Sequence, residues 1–263
     1  YKSTIIESIS RPAEKVLAWS EYQDIFLQVP RISAGKRFME TYHEPLERAW
    51  EEYGVPPAIV TAVIGVETMY GRYLGNYRVL DALVTLAFDY PPRATFFRKE
   101  LYEFLMLVRE ERQEITDLRG SYAGAMGYGQ FISSSYRRYA VDFDGDGIRD
   151  IWRNPVDAIG SVANYLSEHG WSSGQVVVRI DVDDVDESIF NVSLKPSITV
   201  ADMEKFGISV GSSGKEPVSP MKFSGKQGSE YWLGFNNFYV ITRYNHSKLY
   251  AMAVFQLSEE LNK

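Results

Sequence analysis

The chain has 263 residues, a formal net charge of −7 and a pI near 5.2. That balance argues against a nucleic-acid binder, which shows a basic face, and against adhesion to anionic lipid. With no cysteine there is no disulfide, thiolate metal site or thiol nucleophile, while 45% hydrophobic and 24% charged residues suit a folded globular protein.

Residues 1–55 read as helical. Ala13–Trp19 and Ala34–Tyr53 carry helical spacing, the latter with Phe38, Tyr42, Leu46, Ala49 and Trp50 on one side. Ser20–Gln23 and Val29–Arg31 read as connections. Pro56 and Pro57 then open a helix over 56–71, since proline is accepted in a first helical turn. Its run from Ala58 to Val66 is uncharged, which predicts a helix buried on most faces. One carboxylate, Glu67, ends the run. Alone, the stretch favours a structural Glu67, exposed past the buried turn or paired with an arginine. The alternative is a general acid, because burial raises a carboxyl pKa and keeps it protonated.

Val79–Phe88 is a second apolar helix, stopped by Tyr90-Pro91-Pro92. Ala94–Arg112 is long and amphipathic, with Phe97, Leu101, Phe104, Leu105 and Val108 inward. Over 116–135, Gly120, Gly124, Gly127 and Gly129 break the helical pattern and allow close backbone approach. The bland reading is a tight turn; a phosphate loop is discounted for want of a strand before and a helix after. Pro155–His169 is a helix with Ala158, Ile159, Val162, Ala163 and Leu166 inward and Gly170 as its stop. Residues 171–235 change character: Val176–Val182 is strand-like, acids cluster at 181–187, and Gly and Ser are frequent at 207–229. This predicts a small β-rich lobe inserted in a helical chain. Asn237–Asn245 leads into a closing helix, Ser247–Leu257.

His43, His169 and His246 have no ligand spacing, so no histidine metal site or catalytic histidine is expected. No run of 18 apolar residues spans a membrane. The start at Tyr1 reads as a mature or trimmed form whose signal or anchor has been removed. The 18 tyrosines suit a groove that stacks on sugar rings, a weak signal by itself.

Within 142–157, Asp142, Asp144 and Asp146 stand at positions 1, 3 and 5 of an EF-hand-like loop. Gly147 follows at the sharp turn, the Ile148 carbonyl falls at position 7, and Asp150 at position 9 could ligate through water. Position 12 is Arg153 rather than glutamate, and Asp157, three residues later, is the nearest replacement. Alternating carboxylates call for a hard dication, so calcium in a structural role is expected; the alternative is a solvated acidic turn partly neutralised by Arg149 or Arg153.

Four stretches, GVETMYGRYLGNYRVLDALVTLAFDYP, GSYAGAMGYGQFISSSYRRYAVDFDGDG, NPVDAIGSVANYLSEHGW and NNFYVITRYN, together resemble the family 3 lytic transglycosylases of bacteria, the membrane-bound lytic transglycosylase B type and its soluble relatives. The resemblance runs from about Tyr53 to Leu257 and is weakest over 171–235. It implies a mainly α (α+β) fold. A lysozyme-like core would comprise 53–79, 116–170 and 236–263, a helical α lobe 1–52 and about 80–115, and the β-rich lobe 171–235. It implies cleavage of the β-1,4 bond between N-acetylmuramic acid and N-acetylglucosamine of peptidoglycan without water. It makes Glu67 the family's single catalytic acid, reversing the reading from that stretch alone. Ser121, Met126, Gln130 and Phe131 match the family's glycine-rich groove motif. Tyr22, Tyr165, Tyr239 and Tyr244 would line the groove, and Arg93 matches a family arginine. Phe96 stands where a tyrosine is expected, which puts a hydroxyl contact in doubt. The calcium loop, with Asp142, Asp144, Asp146, Ile148 and Asp157, is a family feature too. A periplasmic location, soluble or anchored to the outer membrane through a missing N-terminal segment, and partners in the wall-synthesis machinery are further implications. A hydrolytic muramidase and a non-catalytic, calcium-stabilised wall-binding module are the competing readings.

Overall fold

The computed structural model describes residues 1–10, 17–182, 186–206, 208 and 216–263. The fold is mainly α. Helices α1 (Ser3–Ile9), α2 (Trp19–Phe26), α3 (Val29–Thr41), α4 (His43–Tyr53) and α5 (Pro57–Thr68) come first. After strand β1 (Tyr77–Arg78) follow α6 (Val79–Asp89), a 3-10 turn at Pro91–Arg93 and α7 (Ala94–Glu110). Strand β2 (Arg119–Gly120) precedes α8 (Ser133–Tyr139) and α9 (Pro155–Glu168). The remainder comprises β3 (Val177–Ile180), β4 (Ile198–Thr199), α10 (Val200–Met203), β5 (Pro217–Gly225), β6 (Gly228–Gly234), α11 (Asn236–Tyr244) and α12 (Lys248–Leu261). Among the described residues no helix is long and apolar enough to cross a membrane.

Helix α5 is the axis of the core. Gly54, at φ +71°, closes α4 in the left-handed region, and Pro57 starts α5. Nine of its 12 residues are buried, because α3, α4, α9 and α12 all pack against it. Gly65 is required for that packing: a Cβ there would lie 2.6 Å from the Tyr70 hydroxyl. On the other side of the core, Glu100 of α7 is buried and accepts from the Ser134 amide at 2.9 Å and its hydroxyl at 2.8 Å. A carboxylate thus satisfies the first turn of α8, where backbone amides lack helical partners.

The sheets are small and antiparallel. β1 pairs with β2, Tyr77 opposite Gly120, which fixes the glycine-rich segment to the chain leaving α5. The four-stranded sheet has order β3-β6-β5-β4, with Val177 opposite Gly234 and Met221 opposite Trp232. Ile180, Ile189, Phe190, Met203 and Leu233 form a hydrophobic cluster of their own beside this sheet. The sheet rests on the helical core through Trp19 against Phe223 (5.5 Å) and Trp232 against Phe255 (6.5 Å).

Several expected boundaries differ. Ser20–Gln23 lies inside α2 rather than in a connection, because Trp19 and Tyr22 on one face are buried. Val29–Arg31 begins α3: Pro30 sits in the first turn, where it is tolerated. The segment 34–53 is two helices that break at Tyr42, as Pro45 cannot donate back to Thr41. Trp50 and Leu105 face solvent rather than the core, at 50% and 45% exposure, and Leu107 is inward instead. The sequence pattern does not predict α8 or α11 as helices of their own. The helix expected over Ala13–Trp19 falls mostly on residues 13–16, outside the described ones, as do parts of the acidic 181–187 and glycine-rich 207–229 stretches.

Candidate active site

Glu67 is the penultimate residue of α5 and is half-buried, while Val63 and Ile64 before it are fully buried. The helix ends abruptly after it. Met69 and Tyr70 take left-handed backbone, at φ +50° and +60°, a conformation that costs energy for residues other than glycine. Thr68 ties this turn to the glycine-rich loop: its hydroxyl lies 3.0 Å from the Tyr128 carbonyl and accepts from the Gly71 amide at 3.0 Å. The carboxyl of Glu67 is held from the opposite side. Tyr250, in the first turn of α12, donates its hydroxyl proton to Glu67 Oε1 at 2.7 Å.

Tyr250 stacks parallel on Tyr244, with centroids 6.4 Å apart and planes 8° apart. Tyr244 meets Tyr165 edge-on at 4.7 Å and Phe131 at 5.8 Å, and Phe131 lies 5.7 Å from Tyr165. Tyr165 is stacked on His169 at 4.1 Å. Burial first, then the charge of Glu67, pushes the phenols of Tyr244 and Tyr250 well above their ordinary pKa. Both remain hydrogen-bond donors at neutral pH. Tyr244 donates to the Gly129 carbonyl (2.6 Å) and Tyr165 to the Arg243 carbonyl (2.6 Å). Gly129 is needed for that approach, since a Cβ there would stand 2.6 Å from the Tyr244 hydroxyl.

Other residues singled out in the sequence sit differently. Met126 is fully buried and bridges Gly120 and Phe131 through its backbone. Ser121 accepts from the amides of Ala123 and Ala125, at 3.2 and 3.1 Å, so its hydroxyl shapes the loop. Gln130, with φ +50°, donates to the carbonyls of Gly127 (2.9 Å) and Leu74 (3.3 Å). Tyr22 is buried against Phe26 and close enough to Tyr250 to raise its phenol. Arg93 stacks over Phe96 at 4.2 Å and faces a cavity of about 760 Å³ beside the turn between α11 and α12. Tyr239 lines an adjoining cavity with Met221; Asn191, His246 and Lys248 line both. Glu67 does not line that first cavity, although Leu249, next to Tyr250, does. Tyr250 gives no local signal in the sequence: its partner is 183 residues away, and it sits in an alanine- and methionine-rich stretch that reads as plain core.

The acidic loop brings together Asp142, Asp144 and Asp157, whose oxygens lie within 4.8 Å of one another. Asp157 is fully buried at the start of α9 and accepts from the amides of Phe143 (2.7 Å), Asp144 (3.4 Å) and Asp150 (2.8 Å). Burial raises its pKa against those hydrogen bonds, and Asp144 adds to the rise. Such crowding of carboxylates is the donor set a hard dication fits. Asp146 is not in the cluster; its carboxylate accepts the Ile148 amide at 2.8 Å instead.

A helical core that presents a lone glutamate at the end of its buried axis, beside an aromatic wall, has the design of a lytic murein transglycosylase. A family model for the transglycosylase SLT domain matches residues 1–259. The chain is 44% identical over 262 residues to membrane-bound lytic murein transglycosylase B of Escherichia coli K12, covering 96% of this chain and 70% of that protein. Among solved structures it is similar to soluble lytic transglycosylase SltB1 from Pseudomonas aeruginosa, with TM-score 0.94 and 52% identity, over 99% of this chain and 88% of that one. It is also similar to the Escherichia coli lytic transglycosylase Slt35 solved in complex with calcium, with TM-score 0.90 and 42% identity, over 99% and 83%. The chain belongs to the transglycosylase SLT domain family.

Proposed function

We propose that the protein cleaves the MurNAc-β-1,4-GlcNAc bond of peptidoglycan without water, leaving 1,6-anhydro-muramoyl ends. The observation that carries this reading is the anchoring of Glu67 by Tyr250 at the end of a buried helix. The protonated carboxyl of Glu67 donates to the leaving 4-oxygen as the C1–O bond breaks. The substrate's N-acetyl oxygen stabilises the positive charge that grows at C1, in the manner of substrate-assisted glycosidases. Glu67, now a carboxylate, takes the proton of the 6-hydroxyl as that oxygen attacks C1. One residue therefore serves as acid and then base. Tyr250 keeps one carboxyl oxygen fixed, so the group does not swing between the two proton transfers. Phe131 and Tyr165 are buried, and with Tyr244 they back the site and hold the Gly129 segment in place, while a glycan seated over Glu67 keeps water away from C1.

Asp142, Asp144 and Asp157 would hold a calcium ion, which supplies charge neutralisation and fixes the loop. The substrate sets the location: an enzyme of murein works in the cell envelope, in the periplasm.

Glu67→Gln tests the reading. The variant keeps the shape and the hydrogen bond from Tyr250 but has no proton to give. Turnover of isolated sacculi should fall by at least about 10³-fold, with an unchanged melting temperature and retained glycan binding. Wild-type turnover by this variant would leave the mechanism without its acid.

A further inference from the structure

A cavity of about 490 Å³ opens where α7, α8 and the end of α9 meet. Lys99 of α7 and Arg137 and Arg138 of α8 line it, and Glu103 is the one carboxylate that does so among the described residues. In a chain with 35 acidic and 28 basic residues that balance is reversed. Glu103 is already engaged, since Arg137 pairs with it and with Glu110, the latter at 2.6 Å. Lys99 and Arg138 have no carboxylate partner among the described residues. The Arg138 guanidinium lies over the Tyr139 ring at 5.2 Å, a contact that neither neutralises its charge nor occupies its N–H donors.

The end of α9 adds an imidazole to the same cavity. His169 is half-buried between Tyr165, stacked at 4.1 Å, and Tyr139 at 5.1 Å. Its Nδ1 lies 2.7 Å from the Tyr165 carbonyl. A carbonyl only accepts, so Nδ1 carries the hydrogen and Nε2 of the neutral ring is a bare lone pair. The charged groups around the ring are Lys99 and Glu103 from α7, Arg137 and Arg138 from α8, Glu168 from α9 and Arg243 from α11. Burial first, then Arg243 and Arg138, lower its pKa, against the Tyr165 carbonyl and Glu168. The ring is thus kept neutral in part by cations that lack an anion of their own. A ligand that neutralises them removes the repulsion and lets the ring charge.

We propose that this cavity binds a phosphate group through Lys99 and Arg138, and that His169 takes up a solvent proton at Nε2 as the anion enters. The donors are an ammonium, a guanidinium and an imidazolium on three different helices, with the Ser135 and Tyr139 hydroxyls beside them. A tetrahedral phosphate has oxygens to accept from several directions at once, whereas a planar carboxylate is served by a single fork. The Ser134 hydroxyl is not among these donors, because it donates to Glu100 at 2.8 Å. Protonated Nε2 changes from a lone pair that repels the anion to a donor that holds it, so affinity rises as pH falls.

The test uses sulfate as the probe, a tetrahedral dianion that does not itself titrate near neutral pH, with chloride at equal ionic strength as the control. Calorimetry on the whole chain should show sulfate binding about tenfold tighter at pH 5.5 than at pH 8. Lys99→Gln together with Arg138→Gln should weaken binding at least about tenfold, and His169→Gln should make the remaining affinity independent of pH. In the wild-type chain, the His169 ring followed by NMR should titrate at higher pH once sulfate is present; this arm needs no variant and stands even if one fails to fold. N-acetylglucosamine 1-phosphate and vesicles of phosphatidylglycerol then distinguish a soluble phosphate ester from a lipid headgroup as the source. Sulfate binding no better than chloride, an affinity indifferent to pH or to the Lys99 and Arg138 changes, an unmoved His169 titration, or binding of neither phosphate source would each overturn the proposal. No arm reads turnover, so this site and the transglycosylase reading can fail separately.

Discussion

At the scale of single residues, the proposed working parts are a carboxyl and a phenol. Tyr250 is buried and its pKa is raised, chiefly by burial and then by the charge of Glu67. It therefore stays a donor wherever the enzyme works. Tyr250→Phe keeps the ring and its stacking on Tyr244 but removes the bond to Glu67 Oε1. Loss of the bond frees the carboxyl between the two proton transfers, so kcat should fall about tenfold, while the lost hydrogen bond, about 1–2 kcal/mol, lowers the melting temperature only modestly. A wild-type kcat in the variant would make Tyr250 a packing residue only. Glu67 could be noticed in the sequence because a carboxylate is conspicuous after an uncharged run. Tyr250 could not, since a tyrosine in a helical stretch looks like core and the bond that defines it is long-range.

At the scale of elements, helix α9 links two devices. Its first turn carries Asp157, the buried member of the acidic cluster. If calcium sits there as proposed, removing it leaves that carboxylate beside Asp144 with only backbone amides to compensate it, so chelation should lower the melting temperature, and added calcium should raise it as its concentration exceeds the dissociation constant. Asp157→Asn should abolish that response. A melting temperature indifferent to calcium and chelator would remove the metal. The spacing of Asp142 and Asp144 was visible in the sequence, but loop closure onto Asp157 depends on how α9 packs, through Phe143 lying against Gly160. The end of α9 carries His169, stacked on Tyr165 and accepted by its carbonyl. Burial lowers its pKa, helped by Arg243 and Arg138, against that hydrogen bond and Glu168. The sign follows: as pH falls, the unfolded chain protonates at the ordinary histidine pKa before the folded one does. Stability is full above that value and declines as pH drops toward the folded pKa. Thermal melts at pH 7.5 and 5.5 should show a larger loss for wild type than for His169→Gln; equal losses would assign the effect to other groups.

At the scale of the whole molecule, what could be read from sequence divides by range. The helices announce themselves through local periodicity, and the apolar run of α5 marks the core axis because four helices bury it. Pairings across distance do not announce themselves. β3 meets β6 across more than 50 residues, Val177 opposite Gly234. The aromatic wall is drawn from Phe131, Tyr165 and Tyr244, none near another in the chain. Family resemblance could name those three residues; periodicity could not bring them together. In the proposed mechanism a single carboxyl, used twice, closes the sugar's own 6-hydroxyl onto C1. The direct measurement is the mass of the muropeptides that wild-type protein releases from purified sacculi. The account predicts anhydro-muramoyl ends, each lighter by one water than the hydrolysis product. Reducing ends in their place would contradict it and make the protein a muramidase.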